Sequence, residues 1–130
     1  MFRVSLIDER QEIAAVYNGK PCLDVGLMTD VFSGYGKSDG IIRAVRSMSP
    51  DYIVTDELGA DAESIRQAVN SGSGLIMTAH ADSIEEAYRN EGIRTVIDSG
   101  AIQHIALVQS HRITAVKQLI TAEANAVCTI

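Results

Sequence analysis

Two apolar runs of strand length, each ending in polar groups suited to phosphate chemistry, constrain this chain more than any other feature. The first, Ile53-Val54-Thr55, ends in Asp56-Glu57, and the second, residues 75–79, ends in His80. Around them, β-rich runs alternate with segments of helical periodicity. That alternation is the signature of a parallel sheet with crossover helices, because parallel neighbours need a connection long enough to return to the same end of the sheet. An α/β fold is therefore expected.

The individual elements follow from spacing and punctuation. Residues 3–7 form a short β-rich run that stops at Asp8-Glu9-Arg10. Residues 17–40 are punctuated by Gly19, Pro21, Gly26, Gly34, Gly36 and Gly40, and are expected to be irregular. A loop of that length is more often functional than idle. Apolar residues at 41, 42, 45 and 48 predict a helix that ends before Ser49-Pro50. A strand over 51–55 and a helix over 62–69 follow, the helix carrying Ile65, Ala68 and Val69 on one face before Gly72 and Gly74 break it. After the strand at 75–79, Asp82 or Ser83 caps a helix with Glu85 and Glu86 in its first turn, where acids suit the helix dipole. A shorter helical piece is expected at 94–99. Strands at 103–109 and 113–119, joined through Ser110-His111-Arg112, read as a closing antiparallel hairpin.

Composition limits the function classes. A chain of 130 residues, 46% hydrophobic, is expected to form one domain with a real core. A net charge of −6 disfavours a nucleic-acid partner held by bulk electrostatics, so none is expected. Cys22 and Cys128 lie far apart without metal-ligand spacing, and are expected to be reduced and mostly buried thiols. Neither a charged leader nor a run of about 18 apolar residues is evident, which points to the cytoplasm.

A parallel sheet binds ligands outside the carboxyl ends of its strands. Asp8-Glu9-Arg10, Asp56-Glu57 and His80 then converge on one rim. There Asp56 can hold magnesium through water, and Glu57 can polarise an attacking water as general base. Thr78 and His80 stand where a terminal phosphate would be sensed. Asp8, Glu9 and Arg10, with Glu12 nearby, can position water or reach a phosphate. The plainer alternatives stay open: acids ending a strand before a turn at Gly59, a structural His80, and a solvated Arg–Glu pair of little energetic weight. Arg43 and Arg46, on the helix leading into the Asp56 strand, are either charge-stabilising fingers across a subunit boundary or solvated helix residues.

Gly36-Lys37-Ser38 imitates part of a phosphate loop. The full pattern needs a glycine five positions before its glycine-lysine pair, so that the chain can wrap phosphate with its amides; that position is Val31. Asp24, Gly26 and Asp30 also interrupt any apolar strand ahead of it. The triplet is accordingly read as a chance match.

The ordered motifs Val4-Ser5-Leu6-Ile7-Asp8-Glu9-Arg10-Gln11-Glu12-Ile13-Ala14, Leu23-Asp24-Val25-Gly26, Thr29-Asp30-Val31, Arg46-Ser47-Met48-Ser49-Pro50 and Thr55-Asp56-Glu57-Leu58-Gly59 resemble the stage III sporulation protein AA family, a relative of secretion-system ATPases. The region around Thr78-Ala79-His80-Ala81-Asp82-Ser83 resembles the segment after the Walker B strand in that family, and the final fifteen or so residues match only weakly. It implies a partial RecA-like P-loop NTPase core that uses ATP and Mg2+, works as a homo-oligomeric ring, and associates with other components of a channel between mother cell and forespore. Peripheral attachment to the inner side of a membrane complex is implied with it. The family's Walker B acids carry over to Asp56 and Glu57, and its histidine after the next strand to His80.

The family's phosphate loop lies upstream of the strand at 3–7, and no residues here receive its lysine and hydroxyl. This chain alone is therefore expected to bind ATP weakly or not at all. The sheet position left by the phosphate-loop strand is expected to need closing, by this chain or another. A non-hydrolysing assembly module and a piece without an independent role remain as alternatives.

Overall fold

The computed structural model describes residues 1–58, 62–119 and 126–129. Its strands are β1 (Val4–Asp8), β2 (Thr29–Ser33), β3 (Tyr52–Thr55), β4 (Gly74–Thr78), β5 (His104–Gln109), β6 (Arg112–Gln118) and β7 (Ala126–Thr129). They form one seven-stranded sheet in the order β2-β1-β3-β4-β7-β5-β6. The helices are α1 (Lys37–Met48), α2 (Ala62–Asn70), α3 (Ile84–Ala87) and α4 (Glu91–Asp98). The expected α/β class is therefore observed, with parallel pairing throughout except between β5 and β6.

Alternation along the strands divides the sheet into two faces. Ile7, Ile53, Leu75, Met77, Ile105 and Leu107 are buried in the main core with Ile41 and Ala44 of α1, Ile65 and Ala68 of α2, and Ile93 and Val96 of α4. On the opposite face, residues between β1 and β2 cover part of the sheet: Ile13 and Val25 approach Val4, Leu6 and Val54 around a shallow cavity of about 250 Å³. Farther along that face Ile76 is 37% exposed and Val116 62%.

One close approach sets the seat of α1. A Cβ at Gly40 would lie 2.6 Å from Cγ2 of Ile7, so only glycine lets the helix descend this far onto β1. Two hydroxyls, Ser64 and Ser38, meet at 3.3 Å and join α2 to α1. At the amino end of the sheet, the Arg3 amide donates to Asp51 Oδ2 at 2.7 Å. That bond, aided by the Arg3 charge, holds the Asp51 carboxyl below its ordinary range.

Several boundaries differ from expectation. The stretch at 17–40 is not irregular throughout: it contains β2, which pairs with β1 from Val4↔Thr29 to Asp8↔Ser33, and the first turn of α1. β2 is an edge strand with one exposed and four half-buried residues, so it needs no continuous apolar run, and the interruption at Asp30 does not exclude it. α4 begins at Glu91, earlier than 94, because the Asn90 side chain caps the amides of Gly92 and Ile93. Ser83, rather than Asp82, caps α3 by accepting from the Glu86 amide at 3.1 Å. Cys22 is exposed, contrary to its expected burial, because the segment that carries it lies on the surface beyond β1; the packing of Cys128 and the turn at Gly59 lie outside the described residues. The hairpin is present, with a register shift between Leu107 and Val108, yet it does not adjoin β4. β7 lies between them, pairing in parallel with β4 and with β5. β4 and β5 are thus joined into one sheet through this chain's own β7.

Replacement of Gly40 by alanine gains about 1 kcal/mol of helix propensity but forces a methyl group into a closely packed core, a cost of about 1–3 kcal/mol. The expected outcome in urea unfolding is a lowered midpoint and a net destabilisation of up to about 2 kcal/mol; a midpoint above the parent's would show that α1 has slack over Ile7.

Candidate functional site

Parallel pairing of β2, β1, β3 and β4 brings four carboxyl ends to one edge of the sheet. Asp8, Ser33, Thr55 and Thr78 are the last residues of these strands, so residues 9 and 10, 34–37, 56 and 57, and 79 and 80 share that rim. The convergence expected for Glu9-Arg10, Asp56-Glu57 and His80 thus follows from strand direction, whereas the Asp8 side chain, expected with them, turns away.

Glu57 is the point at which the rim is tied together. Its amide donates to Thr78 Oγ1 at 3.0 Å, and the next amide, of Leu58, donates to the Thr78 carbonyl at 2.7 Å. The tip of β3 is thereby fixed to the tip of β4. The Glu57 carboxylate meets Arg10 at 3.2 Å, with the two side chains 45% and 64% exposed. At that exposure the pair orients Glu57 more than it stabilises the fold. Because Thr78 accepts through its hydroxyl oxygen, it keeps its own proton for donation.

Lys37 is the member of the rim that sequence reasoning set aside. Its side chain is only 9% exposed, its ammonium lies 3.5 Å from Asp56 Oδ1, and it donates to the Glu57 carbonyl. The strand before Gly36-Lys37-Ser38 is β2, which is half-buried and not the continuous buried strand that a phosphate loop follows, and α1 begins at Lys37. The turn between β2 and α1 spans only residues 34–36, however, and Gly36 caps the helix without a side-chain bond. Three residues are too few to wrap a phosphate with successive amides. The signal that could have placed Lys37 on the rim was the pairing of two glycines with a helix start. It marks a strand-to-helix turn even where the phosphate-loop spacing fails.

The remaining residues divide by role. Asp8 is fully buried, and its carboxylate accepts from the amides of Glu12 at 2.9 Å, of Ile13 at 3.2 and 3.3 Å, and of Ala14 at 2.8 Å. It therefore shapes the loop after β1, carrying Glu9 and Arg10 on its exposed side, and does not itself face the rim. Glu9 and His80 are exposed. Arg43 stacks 5.3 Å from the Tyr35 ring, on the exposed side of α1, and Arg46 lies exposed in its last turn. A polar cavity of about 270 Å³ lies at the other end of the strands, lined by Arg3, Asp51 and Ser73 among others, and includes none of the rim residues.

For a divalent cation the donor set offers one carboxylate, Asp56, 16% exposed, beside Glu57. Among the described residues no group of three His, Cys, Asp or Glu side chains could hold a metal. Magnesium fits such a set, because it binds through one or two carboxylates and completes its shell with water and phosphate.

Exchange of Asp8 for asparagine replaces a charged acceptor of several amides by one carbonyl and an amide that faces donors. Hydrogen bonds to charged groups contribute about 1.5–3 kcal/mol each, so a loss of about 2 kcal/mol or more is expected in chemical denaturation. Faster hydrogen exchange at Ala14 should accompany it. Unchanged stability and protection would remove Asp8 as the anchor of this loop.

Comparison with known proteins agrees with the motifs. The family model described as sporulation stage III, protein AA, matches residues 2–124. The curated stage III sporulation protein AA of Bacillus subtilis (strain 168) is 30% identical over 101 residues, which are 76% of this chain and 33% of that protein. The chain thus spans about a third of the length of that relative. No solved structure matches. Among the described residues, no helix is long and apolar enough to cross a membrane. With the ordered motifs and the match over nearly the whole chain, the protein belongs to the sporulation stage III protein AA family.

Proposed function

We propose that this chain supplies the Walker B half of a RecA-like ATPase site that acts in sporulation. The observation that supports the reading best is the tie at Glu57. An acid pair at the end of one parallel strand is held by hydrogen bonds to the hydroxyl-bearing tip of the next, so base and phosphate-sensing groups stand in a fixed relation. Preorganisation of this kind is what phosphoryl transfer asks of a protein, because its catalysis is almost entirely positioning and electrostatic stabilisation.

In this reading Glu57 accepts a proton from the attacking water, and Arg10 keeps its carboxylate aimed along the rim. Thr78 and His80 donate hydrogen bonds to the terminal phosphate. Glu9 follows the tip of β1 on the loop that Asp8 anchors, placed to orient solvent. Asp56 would hold magnesium through water, and the ion when bound supplies neutralising charge to the phosphates. The amides that grip the β-phosphate are not found in the 34–36 turn, so tight nucleotide binding requires the upstream phosphate loop that the family resemblance implies. Ring assembly and the channel components are the partners this reading carries with it.

A second reading has its own support. Both carboxylates of the acid pair already have cationic partners within the chain, Lys37 for Asp56 and Arg10 for Glu57. That internal neutralisation suits an assembly module that keeps the fold and its surfaces without hydrolysis.

Turnover separates the two. In protein extended to the family's full length, Glu57→Gln should lower ATP turnover by about 10²–10⁴-fold, the usual worth of a positioned general base, while leaving nucleotide binding intact. Turnover that is unaffected by the change would exclude Glu57 as base. Absence of both binding and turnover in the extended parent, with assembly preserved, would favour the module.

A further inference from the structure

Lys37 is a costly residue to place where it is. A buried ammonium loses hydration worth several kcal/mol unless its partners replace it, and a cation in the first turn of a helix opposes the helix dipole. Neither helix propensity nor core packing calls for lysine here. What the position does provide is reach: helical side chains lean toward the amino end, and from residue 37 that direction leads to the strand tips. The ammonium accordingly bridges two successive residues of the acid pair, the Asp56 carboxylate at 3.5 Å and the Glu57 carbonyl.

We infer that Lys37 is the positioning residue of the acid pair and its resident positive charge, which any divalent cation arriving at Asp56 has to share. The inference rests on the reading of Asp56 as the metal acid. Through Lys37 the β2–α1 turn is coupled to Asp56 and Glu57, and through the Glu57 amide to Thr78, although Lys37 itself need not touch a ligand. Two consequences follow from charge and geometry. Removal of the ammonium takes a like charge away from an incoming cation, so divalent affinity at Asp56 rises. It also frees the Glu57 main chain, so the bond to Thr78 loses its fixed geometry.

The test uses Mn2+ alone as probe, titrated into this chain and followed by the electron paramagnetic resonance signal of the free ion, with amide resonances recorded in parallel. Lys37→Met keeps the aliphatic stem and removes the charge; Lys37→Arg restores a charge; urea midpoints establish that each variant is folded. Lys37→Met should tighten Mn2+ binding about tenfold, with the gain abolished by adding Asp56→Asn and reversed by Lys37→Arg. The Glu57 and Thr78 amides should shift in Lys37→Met. Unchanged Mn2+ affinity in folded Lys37→Met, while Asp56→Asn still weakens binding, would overturn the inference. Should Asp56→Asn leave Mn2+ binding unaltered in both backgrounds, the metal-acid reading fails instead. The amides then decide for Lys37: shifted Glu57 and Thr78 signals retain it as a tether, and unmoved ones remove it.

Discussion

A buried positive charge at the start of α1 is the interaction on which the rim depends. Lys37 approaches the Asp56 carboxylate and the Glu57 carbonyl at once, and the Glu57 amide in turn holds Thr78. One lysine therefore connects the turn after β2, the tip of β3 and the tip of β4. For its ammonium to reach these groups, α1 must sit close over β1, and the missing side chain at Gly40 permits that seat. The same crossover that builds the core thus brings the cation to the acids.

Asp8 supports the rim from the other side. Its carboxylate gathers the amides of residues 12–14 beneath the sheet edge and leaves Arg10 on the exposed side of the loop, within reach of Glu57. The two acidic strand ends thus serve different ends. One is buried and consumed by backbone, while the other is partly exposed and balanced by side-chain charge. Nothing in residue type distinguishes Asp8 from Asp56; their surroundings do.

Much of this was legible in the sequence because it rests on local periodicity. The strands at the tips of Asp8, Asp56 and Thr78, the helix that ends at Ser49-Pro50, and the antiparallel hairpin each announce themselves through alternation, spacing or a breaking residue. What escaped depends on partners distant in sequence. β2 is a half-buried edge strand whose identity comes from pairing with β1, and β7 is fixed by lying between β4 and β5. Lys37 was hidden for a related reason. Its neighbours suggested a phosphate loop, the spacing refused it, and only the folded sheet shows that its cation lies 3.5 Å from a carboxylate nineteen positions along the chain.

Membership of the sporulation stage III protein AA family gives this geometry a context, and the chain covers about a third of the curated relative's length. In the proposed function, nucleotide phosphate meets the acid pair on this rim. The decisive experiment is a crystal structure of the full-length protein with Mn2+ and a non-hydrolysable ATP analogue. The expected result is an anomalous manganese peak beside Asp56, water-linked to its carboxylate, with the terminal phosphate facing Thr78 and His80. Manganese and phosphate bound away from the ends of β3 and β4 would contradict it.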